Sequence, residues 1–375
     1  MSPTRDELLE PFLQLVRIPS PSGHERAVAD LVLARLRAAG LEPVEGEPVG
    51  IVGEAAGPIH VVIAGQGCGT PILLCAHLDT VAVEGPIEPV VADGVVRSDG
   101  STILGADDKT AVTVLLAALE EFALRPPSGR VEALFTPSEE VGLLGAKAFD
   151  PSGTAAAAGF VLDSSGPLGD VIVAAPAQRT VTAEFKGQAA HAGIEPERGR
   201  SAVVAAARAV TSMQLGRLDE VTTANIGIIE GGVATNIVPE RCVIRGEARS
   251  RDAARLTAQV RHMLDAVALA AAQTDVDVTS TVTEEYQAFS LSEESLPARI
   301  AAAAVRSLGL EPRFRGTGGG SDVNVFNTRG LPSVNLSAGY EQVHSSSEYM
   351  PIERLEQAYA LVLALVEAAG STSPA

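Results

Sequence analysis

With 375 residues the chain is longer than one compact core ordinarily holds, so two domains are expected. A formal net charge of -19 excludes a non-specific hold on nucleic acid or on anionic membranes, and 46% hydrophobic with 20% charged residues excludes a disordered chain. Aromatic residues are only 3% and Trp is absent, so Ala, Val and Leu must build the core.

In chain order, the opening MSPTRDELLEPF has no apolar stretch of the signal-peptide kind. Nothing approaches the roughly 18 apolar residues of a membrane span. Residues 7–17 and 24–39 read as helices with apolar positions three and four apart, the second stopped by Gly40. Short β-rich runs follow at 60–65, 71–77 and 131–137, with an apolar helix over 107–124 between the last two and another buried strand at 159–163. Strands alternating with helices predict an α/β layer with a mixed, largely parallel sheet flanked by helices. The middle of the chain differs. Strand 179–187, helix 200–213, strands 222–232 and 241–250, a long helix near 251–273 and strand 276–283 have the β-α-β-β-α-β order of an open-faced sandwich. Helices at 293–308, 321–328 and 353–369 and a strand at 332–337 then resume the first pattern. The expected organisation is a discontinuous α/β domain, 1–177 and 288–375, with an α+β domain inserted at 178–287. Three widely spaced cysteines, Cys68, Cys75 and Cys242, without a C-x-x-C, suit a reduced, cytoplasmic setting.

Metal-ligating types gather where strands of this sheet should end, the usual place for sites in open α/β sheets. "LLCAHLDT" ends a strand in His77 and Asp79; "ILGADDKT" puts Asp107 and Asp108 at a helix start; "FTPSEE" offers Glu139 and Glu140; "GFVLDSSG" ends in Asp163; "GYEQVHSSSEYMP" carries His344. Each has a plainer reading by itself. His77 beside Asp79, taken alone, reads first as a buried histidine satisfied by an acid. Asp107 and Asp108 suit a helix dipole, adjacent glutamates suit a solvated surface, and Asp163 suits a turn. If His77 is a ligand, Asp79, two residues on along the strand, can orient its ring. The set of imidazole and carboxylate donors suits zinc, or cobalt or manganese.

"HLDT", "ILGADDKT", "TPSEEVGLLGA", "HAGIEPERGRSA", "TNIVPE" and "GGGSD" occur in the order found in the dizinc exopeptidases that include peptidase T, carboxypeptidase G and succinyl-diaminopimelate desuccinylase. The chain resembles that family over nearly its whole length. It is most similar to the peptidase T-like branch through "SDGSTILGADDK", "IIEGGVATNIVP" and "GYEQVHSSSEYMP". The resemblance implies two divalent metal ions per subunit. His77 and Asp163 would ligate one, Glu140 and His344 the other, and Asp107 would bridge them, with a cis peptide between Asp107 and Asp108. It makes Asp79 the clamp on His77 and Glu139 the general acid/base for a metal-bridging hydroxide.

The same resemblance implies that the inserted domain is a lid through which a homodimer forms. His191 in "AAHAG" would reach a partner subunit's site to stabilise the tetrahedral oxygen. Asn236, Arg249 and the glycine run at Gly319 would contact substrate, Arg249 meeting a carboxylate. Without it, His191 and Asn236 read as turn residues, Arg249 as an edge-strand residue, and 316–320 as a flexible turn. Asp rather than Glu at position 163 goes, in relatives, with aminopeptidases. The implied activity is therefore release of residues from short di- or tripeptides, with carboxypeptidase or N-acyl-amino-acid deacylase activity as the alternative. A remoter alternative is a catalytically inactive binding homologue, but every ligand position is filled. A dinucleotide site at "GQGCGT" is disfavoured, because Pro71 and a second strand follow where a helix should open.

Overall fold

A computed structural model describes residues 4–50, 54–83 and 85–372. The chain forms two compact units. One comprises Met1–Val173, Ser290–Gly316 and Ser321–Ala375; the other comprises Ala174–Phe289 and Thr317–Gly320.

The first unit is built on a mixed sheet. Four adjacent strands, Gly129–Thr136, Gly69–His77, Ala158–Ser164 and Ser333–Ser337, run parallel. Ile59–Ile63 on one side and Asp170–Ala175 on the other add antiparallel. In Gly69–His77 every residue from Ile72 to His77 is buried, the continuous run expected of a parallel strand covered on both faces. Helices Arg5–Val16, Arg26–Ala38, Ala106–Leu124, Leu296–Ser307 and Ile352–Gly370 supply those covers and share one apolar core with the sheet. The α/β expectation is therefore met, with helix and strand bounds within a few residues of those read from periodicity.

Other elements carried no such signal and bear on the site. Residues Pro89–Ala92 and Val95–Ser98 form a hairpin whose turn residues Asp93 and Gly94 both have positive φ. Tyr349–Pro351 pairs with its second strand. This small sheet tethers the segment just after His344.

In the second unit, Gly216–Arg217, Thr222–Gly231, Arg241–Ser250, Ala177–Lys186 and Asp277–Tyr286 lie in that order, all antiparallel. Val181, Ala183 and Phe185 alternate inward against helices Ala202–Ser212 and Ala253–Thr274. This is the open-faced sandwich anticipated for the middle of the chain. The glycine run goes with it. Thr317 N–H donates to the Ala174 carbonyl, and Gly320 lies so close to the Tyr286 ring that a Cβ there would sit 2.3 Å from Cζ.

The central strand Gly129–Thr136 leads directly into the Glu139–Glu140 turn and is anchored by a buried charge. Glu132 is fully buried and accepts from His60 Nε2 (2.8 Å), Arg130 Nε (2.8 Å) and Ala155 N–H (2.9 Å). Burial pushes its pKa up, but these hydrogen bonds outweigh that and bring it below the ordinary value. Glu132→Ala, which strands three donors, should lower the unfolding free energy by about 3 kcal/mol in urea titrations at neutral pH. The difference from wild type should be fully present above the ordinary carboxylate range and shrink as pH falls through the lowered Glu132 pKa. A difference that does not change with acidification would contradict the charge-based account.

Candidate metal centre

The parallel strands end side by side, His77 standing opposite Thr136 in register. Just beyond these ends the chain departs from regular geometry. Gly105, at φ 74°, opens the helix Ala106–Leu124, and Asp107 sits inside it at φ -82°, ψ 104°, outside the helical region. The Asp107–Asp108 peptide is cis. Ser138 at φ 55° turns the chain at Glu139, and His344 itself lies at φ 59°. Each bend turns a side chain or a row of amides toward one place.

Two clusters result, joined at Asp107. His77, Asp107 and Asp163 each bring one donor atom within 4.8 Å of the others, and so do Asp107, Glu140 and His344. His77 Nε2 lies 3.1 Å from Asp107 Oδ1 and 3.7 Å from Asp163 Oδ1. His344 Nε2 lies 2.9 Å from Glu140 Oε1 and 3.4 Å from Asp107 Oδ2. The two oxygens of Asp107 thus face different histidines. Glu139 also comes within that reach of His77 and Glu140.

The electrostatics are those of crowded carboxylates. Asp163 is pushed up to about 7, by burial first and then by Asp107 and Glu140, against the pull of His77. Burial, reinforced by Asp163, drives Glu139 well above the usual carboxylate range. Asp107 is opposed by the same burial, but hydrogen bonds from His344 and His77 outweigh it and hold Asp107 well below its ordinary value. Hydrogen bonds to Asp107 and Glu140 in turn raise His344 to about 10. The acids are held together with histidine protons as counter-charges. Divalent cations would replace those protons, and the mixed imidazole–carboxylate donor set fits zinc-like ions.

Supporting residues fix this array. The His77 ring bonds through Nδ1 to the backbone carbonyl of Asp79 at 3.0 Å, with the Asp79 carboxylate at 3.4 Å. The carboxylate thus faces the ring as expected, and it also faces the turn beyond the neighbouring strand. It accepts from the N–H groups of Glu139 (2.9 Å) and Glu140 (3.1 Å) and from Ser22 Oγ (2.6 Å). Three further contributors escaped sequence reasoning. Buried Tyr340 donates toward Asp107 Oδ1 (3.0 Å) and lies 3.3 Å from Asp163 Oδ1. Glu348 accepts from the N–H groups of Leu104, Gly105 and Asp107. Asn335 bonds both the N–H and the carbonyl of Asp163. Tyr340 and Glu348 lie in the same "GYEQVHSSSEYMP" stretch as His344, which is the signal that could have found them.

The remaining candidates belong to the second unit. His191 is exposed, its Nδ1 accepting from Gly193 N–H, and a backbone bridge pairs it with Ile237 beside Asn236. Arg249 makes a two-pronged bond to Glu247, at 2.8 and 3.0 Å. The Gly319 N–H donates to Thr317 Oγ1 at 3.3 Å. Of the other histidines, His60 bonds Glu132 and His24 lies beside Glu54, while His262 accepts from Gln214 N–H. Among the described residues no helix is long and apolar enough to cross a membrane.

Residues 73–368 match the model of peptidase family M20/M25/M40. The chain is 40% identical to the Bacillus subtilis protein YqjE over 96% of this chain and 98% of that one. Among solved structures it is similar to a tripeptidase from Staphylococcus aureus, at 35% identity and TM-score 0.89 over 99% and 100% of the two chains. It is likewise similar to the aminopeptidase PepT of Bacillus cereus, at 36% identity and TM-score 0.83 over 98% and 99%.

If zinc binds at these clusters, the metal-free chain should release protons at pH 7 as it takes up the ion, because His77 and His344, both raised, and part of Asp163 would lose theirs as ligands. Calorimetric titrations in buffers of different ionisation enthalpy measure that release. Apparent affinity should fall as pH is lowered. Buffer-independent heats would show that these groups are not displaced by metal.

Proposed function

The chain belongs to peptidase family M20/M25/M40, and on that footing we propose that it is an aminopeptidase acting on di- and tripeptides with two divalent cations at the Asp107 centre. The observation that carries this reading is the pair of imidazole–carboxylate clusters joined at one buried carboxylate, with buried Glu139 beside them. His77 and Asp163 would hold one cation and Glu140 and His344 the other, with Asp107 shared. Zinc suits these donors best, with cobalt or manganese as substitutes. Bound there, the cations supply Lewis acidity toward the scissile carbonyl and the attacking water.

The chain's own residues do the rest. Glu139 takes a proton from water on a carboxylate oxygen and delivers it to the leaving amine nitrogen. Its burial, which raises its proton affinity, suits a group that must carry a proton between two steps. The Asp79 carboxylate, by accepting both the Glu139 and Glu140 amides, fixes ligand and proton carrier in one orientation. Tyr340 and Asn335 orient Asp163, and Glu348 secures the backbone at Asp107.

Choice of substrate rests on likeness. The Staphylococcus aureus tripeptidase and the Bacillus cereus aminopeptidase support short peptides with a free amine, and Asp at position 163 agrees with the aminopeptidases of this family. The oxyanion role of His191, the substrate contacts of Asn236, Arg249 and Gly319 and a homodimer formed through the second unit follow from the same resemblance, and the widely spaced cysteines suit a cytoplasmic setting.

Wild type and Glu139→Gln, assayed on di- and tripeptides and on N-acyl amino acids with zinc, cobalt or manganese added back, test the reading. Wild type should cleave free-amine peptides from the N-terminus. Glu139→Gln should keep its metals and lose about a thousandfold in turnover. Cleavage of N-acyl amino acids alone would overturn the aminopeptidase assignment. Near wild-type turnover by the variant would overturn the proton carrier.

A further inference from the structure

The turn bearing Glu139 and Glu140 is fastened to the segment Ser20–Glu25, which precedes the residues matched by the family model. Three successive amides of this turn point at two buried carboxylates. Ser138 N–H donates to Glu25 Oε1 at 3.1 Å, and the Glu139 and Glu140 amides donate to Asp79. Ser138 Oγ donates to the same Glu25 oxygen at 2.8 Å, and Gly23 N–H does so at 2.7 Å.

Glu25 stands at the N-cap of the helix Arg26–Ala38, where an acidic side chain would ordinarily accept from its own helix. It makes no such bond; its fully buried carboxylate is turned to Ser138 instead. The segment is otherwise well secured. Ser20 Oγ donates to the Leu78 carbonyl at 2.8 Å, Thr80 N–H donates to the Ser20 carbonyl at 2.9 Å, and Ser22 Oγ reaches Asp79. Buried Lys109, in the first turn of the helix Ala106–Leu124, donates to Ser20 Oγ at 2.6 Å.

Ser138 needs this hold because it occupies the left-handed region at φ 55°, which non-glycine residues enter at a cost. Its amide and hydroxyl are buried, and Glu25 is the acceptor for both. Losing that acceptor would favour a different backbone at 138 and a new direction for the side chain that follows.

We propose that Glu25 is a positioning residue for the reaction: its carboxylate locks Ser138 in the left-handed conformation and so aims the Glu139 carboxylate. The proposal rests on Glu139 being the proton carrier. It makes the N-terminal segment part of the catalytic apparatus rather than only a helix start.

Glu25→Ala, Glu25→Gln and Ser138→Ala test it in the metal-loaded protein. Glu25→Ala should lower kcat about a hundredfold with KM changed by less than about threefold and metal content unchanged, as expected of a small misplacement of a reacting group. Glu25→Gln keeps an accepting oxygen and should recover to within about tenfold of wild type. A role confined to stability would instead lower the melting temperature and leave kcat per folded molecule unchanged. A folded, metal-replete Glu25→Ala turning over within about twofold of wild type overturns the proposal, as does equal impairment in Glu25→Gln. If Glu25→Ala does not fold, Ser138→Ala reads the same contact. It should lose about tenfold in kcat at constant KM, and unchanged kcat overturns the proposal. An inactive Glu139→Gln beside a fully active Glu25→Ala defeats only the role of Glu25. An active Glu139→Gln defeats the proton-carrier reading itself.

Discussion

Asp107 is a buried carboxylate placed between two histidines, and the site depends on keeping it ionised and oriented. Its two oxygens face His77 and His344 separately, so one side chain serves both halves of the centre. Burial alone would neutralise it. The two imidazoles reverse that, and the hydroxyl of Tyr340 donates to the oxygen that also faces His77. Glu348, accepting from the amides of Leu104, Gly105 and Asp107, holds the backbone at the start of the long helix. Burial is the first reason that Asp163 and Glu139 both hold protons more tightly than free carboxyls do; neighbouring acids add to it, Asp107 and Glu140 at Asp163, and Asp163 at Glu139.

The fold makes this crowding possible by ending four parallel strands together. His77, the Glu139–Glu140 turn and Asp163 arrive from three adjacent strands, and Asp107 arrives from the helix that crosses between two of them. Glu139 and Glu140 are adjacent in sequence yet differ in surroundings. Glu140 meets His344, whereas Glu139 is buried without such a partner and is raised well above the usual range. Their shared anchor is the Asp79 carboxylate, which receives both amides. On the roles proposed for them, a ligand and a proton carrier would thereby be set in a fixed relation by one side chain.

Much of this was legible in the chain. Apolar runs bounded by turns place the central strands; His77, Asp107, Glu139, Glu140 and Asp163 stand out because polar ligating types follow buried strands or open a helix, and His344 because it lies in a polar loop before the last helix. What stayed hidden depends on contacts between residues far apart. Tyr340 meets Asp107 across 233 positions, Glu348 meets the Asp107 amide across 241, and Glu25 meets Ser138 across 113. No local periodicity records such pairs, and a Glu before a helix reads first as a cap. Strand alternation makes Asp79 a partner of His77. Alternation gives the side of the sheet but not which amides lie closest, and the carboxylate, besides facing His77, accepts from the turn after the neighbouring strand Gly129–Thr136.

The central claim is that one carboxylate joins two cation sites. Crystals of the protein grown with zinc and measured at the zinc absorption edge test it most directly. The account predicts two anomalous peaks flanking the Asp107 carboxylate, one bonded to His77 and Asp163 and the other to Glu140 and His344. A single peak, or a cation held by Glu139 in place of Glu140, would contradict it.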